Sequence, residues 1–269
     1  KGNQKYEYLL PYLSFEKNLS INQKYGYLDF SSNLRVRNYD VNKQTELFVN
    51  DFNWSSNKWN NNFGVTNQFQ GLLKTVNYNA NNTTEYKNNE TNHEMSGVLG
   101  YIAKLGLYKN DFEKLTQHLL TPKFMLRYSP GHMRDIDGGR LNYSNLYEIN
   151  KINKIDVIED GLSTSVGFDY KKNRMNKDGI IGPEKFSLSL GQVINLEENK
   201  DMPSQSSLDQ RFSDIVGESS YNVNNNLDLN YTFAIDQSYK EMNYNEIGAN
   251  ITLSNAKFKA LIDELSSVG

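Results

Sequence analysis

The 269 residues allow one large domain or two small ones, and a net charge of −3 from 29 basic and 32 acidic residues gives no basic field to draw nucleic acid. The chain has no cysteine, which excludes a disulfide, a thiolate metal site and a cysteine nucleophile within it. No apolar run approaches the roughly 18–20 residues of a membrane-spanning helix, and the mean hydropathy of −0.71 is that of a very polar chain; a transmembrane β-barrel stays open, because only every second residue of its strands faces lipid.

The chain begins Lys1-Gly2, with no initiator Met and no basic-then-apolar leader, and stops at Gly269 just after a periodic segment. We therefore expect an internal piece of a longer protein. The five prolines are scattered and no linker or composition break divides the chain, so residues 1–269 are expected to be part of one barrel domain, truncated at both ends.

Period-two alternation predicts strands, in chain order, over 6–15, 24–38, 43–54, 62–79, 95–108, 114–128, 161–172, 184–196, 221–235 and 239–254. An eleventh begins after Lys257, where Phe258, Leu261, Ile262 and Leu265 fit a helical period as well as a strand. Early in the chain, Leu28, Phe30, Leu34 and Val36 oppose Asp29, Ser31, Asn33, Arg35 and Arg37. Leu99, Tyr101, Ala103, Leu105 and Leu107 oppose Gly100, Lys104 and Gly106, with Ile102 the one dissenter. Further on, Val166, Phe168 and Tyr170 alternate with Ser165, Gly167 and Asp169, and Leu227, Leu229, Tyr231 and Phe233 with Asp228, Asn230 and Thr232. The polar face is small and hydrophilic throughout, as a wet lumen requires.

Segments such as 115–128, 221–235 and 239–254 reach or exceed the roughly 9–11 residues that a tilted strand needs to cross a bilayer. Sandwich strands are usually shorter. Tyr25, Tyr39, Tyr128, Tyr170 and Tyr239 fall near strand ends, as interfacial aromatics do. The expected connections alternate long and short: 80–94 long, 109–113 short, 129–160 very long, 173–183 medium, 197–220 long, and a tight turn near Asp236 to Ser238. This rhythm predicts an all-β, antiparallel barrel segment of about 10–11 strands, with the long loops extracellular and the short turns periplasmic.

Residues able to carry chemistry are sparse. His93, His118 and His132 do not pair at metal-ligand spacing and read as exposed or lumenal side chains, His93 and His132 in loops and His118 in a strand. Arg134-Asp135-Ile136-Asp137-Gly138-Gly139-Arg140 resembles a calcium loop but lacks the downstream acid, so a polar turn is expected. Asp156, Glu159 and Asp160 at a loop-to-strand junction read as solvated carboxylates rather than an acid-base pair. Leu146, Ile149, Ile152 and Ile155 recur every third residue, predicting a short helical or 3₁₀ element over the barrel mouth. No nucleophile elbow, phosphate loop or zinc-protease motif occurs, and no catalytic residue, cofactor or metal is expected.

Two stretches point beyond a generic barrel. One runs Lys185-Phe186-Ser187-Leu188-Ser189-Leu190-Gly191-Gln192 and then Leu208-Asp209-Gln210-Arg211-Phe212-Ser213-Asp214-Ile215-Val216-Gly217. It resembles the L-S-x-G-Q strand and R-x-S-D-x-V-G loop of the lipopolysaccharide-assembly protein family LptD. The other, Leu119-Leu120-Thr121-Pro122-Lys123-Phe124 with Tyr128-Ser129-Pro130, is similar to that family's strand with two spaced prolines.

The two stretches stand in the family's order. Between them, Asn150-Lys151-Ile152 and Asp156-Val157-Ile158-Glu159-Asp160-Gly161 match its N-R-F and D-R-I-x-D-G in part, without either arginine. Tyr8-Leu9-Leu10-Pro11 resembles a further family strand. The resemblance spans 6–250 and implies insertion of lipopolysaccharide into the outer leaflet of the bacterial outer membrane, without covalent chemistry. It implies as partners lipopolysaccharide, an LptE-type lipoprotein plug in the lumen, periplasmic lipopolysaccharide-bridge proteins and outer-membrane lipids. The family's jelly-roll domain, lateral-gate strands and disulfide cysteines are not evident here. Without the resemblance, a porin or receptor barrel for small solutes and a soluble carbohydrate-binding β-protein stay open.

Overall fold

In the structure, a computed structural model, the described residues are 7–19, 24–39, 42–253 and 256–264. Strands β1 (Tyr8–Asn18), β2 (Tyr27–Tyr39), β3 (Lys43–Ser55), β4 (Trp59–Asn60), β5 (Val65–Asn81), β6 (Thr91–Leu105) and β7 (Leu107–Asp111) make the first half. There follow β8 (Thr116–Ser129), β9 (Gly161–Met175), β10 (Ile181–Asn195), β11 (Ile215–Asn224), β12 (Leu227–Ile235), β13 (Met242–Leu253) and β14 (Ala256–Glu264). Among the described residues the only other regular element is a single 3₁₀ turn at Ser204–Ser206, and no helix is long and apolar enough to cross a membrane.

All the strands join one antiparallel 14-stranded sheet in the order β1-β2-β3-β5-β6-β8-β9-β10-β11-β12-β13-β14, with β4 beside β5 and β7 beside β8. Each long strand therefore pairs with its neighbours in sequence, and β1 and β14 end the path. The split between β6 and β7 has a cause in Pro122. Lys104 pairs with Lys123 and Leu107 with Leu120, so the ladder breaks opposite Thr121 and Pro122, while on the other side Pro122 keeps its register with Phe168. A proline has no N–H to give, and here the missing bond falls on the β6–β7 side.

The strands expected from 6–15 through 184–196 are found with their ends shifted by a few residues; Tyr6 and Ser254 lie outside the described residues. The expected strand 221–235 is two strands, β11 and β12, joined at Asn225-Asn226. Register shifts between Asn222 and Asn224, a bulge that adds one residue. That extra residue keeps the odd positions on one face across the turn, so Tyr221, Val223, Leu227 and Leu229 read as one uninterrupted alternation. The added turn also moves the tight turn after β12, closed by Asp236 N–H to Glu241 O at 2.9 Å, to the side of the long connections. Past Lys257 the backbone is strand, Ala256–Glu264, paired to β13 from Asn245↔Glu264 to Leu253↔Ala256; Leu265 lies outside the described residues.

From β5 the connections alternate as expected as far as 196–214, with 82–90, 130–160 and 196–214 on one side and 112–115 and 176–180 on the other; the unexpected turn 225–226 then puts 236–241 on the side of the long ones. The two faces of the sheet separate equally well. Leu73, Leu99, Leu126, Leu229 and Ile247 stand exposed on the outer face. The opposite face carries Asp51, Lys74, Lys123, Arg127, Ser165 and Asp169, and the long connection 130–160, here called the strap, lies against it. The main buried cluster sits between strap and sheet: Ile136, Leu141, Tyr143, Leu146 and Val157 of the strap pack with Met202 and Leu208 of connection 196–214 and with Val193, Val216 and Ala234 of the strands.

Candidate functional site: the strap face

The strap is held by buried charges on adjacent strands. Arg127 of β8 is 1% exposed; its Nε donates to Ile149 O at 2.7 Å and lies 3.0 Å from Glu159 Oε1, and its Nη2 donates to Glu159 O. Lys151, also 1% exposed, meets the same carboxylate at 2.8 Å. Two cations thus share one buried anion. Burial pushes the Glu159 carboxyl up, but the Arg127 and Lys151 charges outweigh it and hold it below the usual carboxylate range. Burial draws the Lys151 amine down against the pull of Glu159. The expectation that Asp156, Glu159 and Asp160 are solvated is therefore overturned: Glu159 is buried, Asp156 is ion-paired, and Asp160 accepts from Asn199. Buried ions persist when they are paired and hydrogen-bonded, and the strap itself supplies the cover.

Further ties fix the rest of the strap. Lys74 of β5 bonds Asp51 of β3 at 2.9 Å and the strap carbonyl of Ile155 at 2.6 Å. Arg134 pairs with Glu94 and with Asp156, each at 2.9 Å, and its guanidinium lies over the rings of Tyr86 at 4.5 Å and Tyr78 at 5.3 Å. Burial opposes the Arg134 charge, yet Asp156 and Glu94 hold it firmly on. Lys123 and Tyr143 both bond Asp169, with Lys123 5.3 Å from the Tyr143 and Tyr147 ring centroids. Burial and the bond to Asp169 push the Tyr143 hydroxyl far up, so it stays a donor. At the other end Arg140 donates to Asn243 O at 2.9 Å and stacks on Tyr244 at 4.8 Å.

The expected helical element at Leu146, Ile149, Ile152 and Ile155 does not form. Leu146 is fully buried and Ile149 and Ile152 pack against the clusters, but the backbone is a series of turns. Asn142 and Asn145 each accept the other's N–H through the side-chain oxygen, at 3.0 and 2.9 Å, as in a helix cap. Only separate three-residue turns follow, Leu146 N–H to Tyr143 O at 3.4 Å and Glu148 N–H to Asn145 O at 3.0 Å. The strap approaches so closely that a Cβ on Gly191 would collide with Leu146 and one on Gly167 with the Tyr147 hydroxyl at 2.6 Å. Ile102, the dissenter in the alternation of β6, is buried on this same face.

The two halves of the first family-like stretch, 185–192 and 208–217, come together. Gln192 Nε2 donates to Ser213 O at 2.8 Å. Fully buried Ser213 donates to Asp214 O and accepts from Val193 N–H at 2.9 Å. Asp214 accepts from Asn243 at 2.9 Å, and burial pushes its carboxyl above the usual range. The Arg211 side chain is exposed, while its carbonyl accepts from Asn195 N–H at 2.8 Å. Val216 joins the main cluster, and a Cβ on Gly217 would meet the Phe233 ring at 2.5 Å. Pro122 lies in β8, and Pro130 is exposed where β8 leaves the sheet.

Of the other candidates, His93 lies in β6 rather than a loop, bonded to Asn77 across the β5–β6 pair. His118 lies in β8, 2.7 Å from the Tyr170 hydroxyl, and His132 is exposed in the strap. Segment 134–140 turns through Gly138 and Gly139 at positive φ. No group of three or more His, Asp or Glu able to hold a metal ion occurs among the described residues. The residues that do hold the site, Lys74, Lys123, Arg127, Arg134, Lys151 and Asp169, were not singled out for it from sequence; the signal for Lys74, Lys123 and Arg127 was long cations at polar-face positions of the strands, and Arg134 and Lys151 in the strap gave none.

No curated protein matches the chain. A family model, LptD: LPS transport system D, matches residues 6–261, nearly its whole length and across both family-like stretches. The chain therefore belongs to the LptD family, a lipopolysaccharide transport and assembly family and not a family of enzymes.

Proposed function

We propose that this chain forms part of the outer-membrane barrel wall of a protein that inserts lipopolysaccharide into the outer leaflet. The observation that carries the reading is the family match over 6–261, laid along a single antiparallel sheet with one exposed apolar face. Strands β5, β6, β8, β9 and β10, of 17, 15, 14, 15 and 15 residues, are long enough to cross a bilayer when tilted. At their short-turn ends the outer face carries a belt of aromatic contacts, Trp59 to Phe69 at 5.4 Å, Phe69 to Tyr101 at 5.3 Å and Tyr170 to Phe186 at 6.1 Å, as an interface with headgroups favours.

On this reading the outer face meets lipid, the strap face is the lumen, and the connections 82–90, 130–160 and 196–214 are extracellular. The end strands β1 and β14 require further strands to close the barrel, since a bilayer leaves no backbone group unpaired. Gly191, Gln192, Arg211, Ser213, Asp214, Val216 and Gly217 are structural: the first six seat connection 196–214 and the strap, and Gly217 leaves room for the Phe233 ring on the outer face. Pro122 sets the break in the β6–β7 ladder and Pro130 the exit into the strap. The partners are lipopolysaccharide, an LptE-type lipoprotein plug in the lumen, and periplasmic bridge proteins. Depleting the full-length protein in its host is expected to lower lipopolysaccharide at the cell surface; unchanged surface lipopolysaccharide sinks the proposal.

A further inference from the structure

Most of the strap is tied to the sheet, but one stretch of it faces the sheet across a gap. Between strap residues 148–155 and the inner faces of β3 and β5 lies a cavity of about 520 Å³. Its sheet wall is three cross-strand pairs, Asp51↔Lys74, Asn53↔Leu72 and Ser55↔Gln70. At one end it is closed by Lys74, which bonds Asp51 at 2.9 Å and the strap carbonyl of Ile155 at 2.6 Å, and beside it Ile149 packs against the cluster of Leu72. Asn53, Glu148 and Asn153 are exposed, so the cavity is open to solvent.

Much of what lines this cavity is unengaged. Among the described residues, the side chains of Asn53, Gln70, Glu148, Asn153 and Lys154 make no hydrogen bond or ion pair. Three of these are amides, each offering two N–H donors and a carbonyl acceptor. The charges balance: Asp51 and Lys74 pair with each other, and Glu148 offsets Lys154. A metal ion or a phosphate therefore finds no excess of opposite charge, and an acyl chain would strip water from the amides without replacing its bonds. A peptide strand cannot add here, because β3 and β5 are paired on both sides. The chemistry that fits is a neutral ring of closely spaced hydroxyls, each able to donate and to accept, with a C–H face for Leu72 and Ile149.

We propose that this cavity is a saccharide subsite in which Asn53, Gln70 and Asn153 hold the hydroxyls of a neutral sugar residue. Its volume lies within the range of small-ligand sites. Asn153 holds a left-handed backbone at φ 54°, which asparagine tolerates, so the strap presents this amide from its own bend. The inference rests on the reading that the strap face is the lumen. The sugar comes either from lipopolysaccharide or from free saccharide in solution, since both offer the same hydroxyls.

The test uses the full-length protein, purified in detergent with any plug that accompanies it, and saturation-transfer NMR with two probes: the oligosaccharide released from the host's lipopolysaccharide by mild acid, and free D-glucose. Asn53→Ala combined with Asn153→Gly, which keeps the left-handed backbone, is expected to weaken saccharide binding about tenfold while hydrogen exchange over the strap is unchanged. Gln70→Ala, a change in the sheet alone, is expected to weaken it about threefold. Binding of the oligosaccharide alone assigns the sugar to lipopolysaccharide, and binding of glucose as well or instead assigns it to free saccharide; either supports the subsite. No saccharide bound, or binding undiminished in both variants, overturns it. So does a protein captured by a photoreactive phenylalanine analogue at Asn53, which would make the cavity a seat for the plug. The lumen reading is tested apart, with Asn53→Cys and Ile247→Cys, each placing a thiol in a chain that has none. In intact outer membranes a charged maleimide is expected to label Asn53→Cys about tenfold faster than Ile247→Cys, whose site faces lipid. Equal labelling overturns the barrel-wall reading; the expected labelling with no saccharide bound overturns the subsite alone.

Discussion

The two faces of this sheet are built on opposite principles. The outer face repeats large apolar side chains that touch few protein neighbours, so its residues are nearly independent of one another. The strap face is where the protein's own packing is concentrated: small residues and glycines let the strap approach, and charges from three strands, Lys74, Lys123, Arg127 and Asp169, fasten it. A substitution on the first face is therefore local, whereas one on the second passes to every element the strap touches.

The largest effect is expected where a shared anion is removed. Glu159→Gln leaves Arg127 and Lys151 buried without their common counter-charge and should destabilise the seated strap by about 3–5 kcal/mol. Hydrogen exchange over 130–160 should rise sharply in the reconstituted protein; unchanged protection would mean that the ion pairs do not hold the strap. Acid should act through the same group. The folded Glu159 carboxyl lies below its ordinary value, so its contribution is complete above about pH 4.5 and is lost as pH falls through the folded value. Strap protection should be flat from neutral pH to about pH 5 and decline below about pH 4, and Glu159→Gln should remove that step.

Next in size, Gly191→Val drives a side chain into Leu146 and should cost about 3 kcal/mol, read as a lower midpoint in heat-modifiability on gels. Ser213→Ala leaves the Val193 N–H without its acceptor and should cost about 1–2 kcal/mol by the same measurement. The smallest effect marks the contrast: Phe63→Ser, at a turn tip 86% exposed, should stay within about 0.5 kcal/mol. A loss there comparable to Ser213→Ala would dissolve the distinction between the strap face and the rest.

The sheet was largely legible in the sequence because a period of two is set by backbone geometry and survives in each strand on its own. It misled at Asn225-Asn226 for a physical reason: the bulge after Asn222 preserves parity, so a hairpin and a single long strand present the same alternation. The site was much less legible. Asp156 and Glu159 stand in a connection, where no periodicity reveals burial, and their partners Arg134, Arg127 and Lys151 come together only in the fold. Lys74, Lys123 and Arg127 occupy correct polar-face positions and so broke no pattern. Ile102 did break it, and the burial of that side chain on the strap face is the reason.

The strap leaves the sheet between two adjacent strands, but its bonds reach back 81 residues, from Ile155 to Lys74, and forward 103, from Arg140 to Asn243. Contacts of such separation close large loops and form late, after the local hairpins are in place. The strap can therefore settle only when β5 and β13 are both present and in register. A sheet with a missing or slipped strand would leave part of its charged lining unpaired, and only a correctly ordered one can seal it.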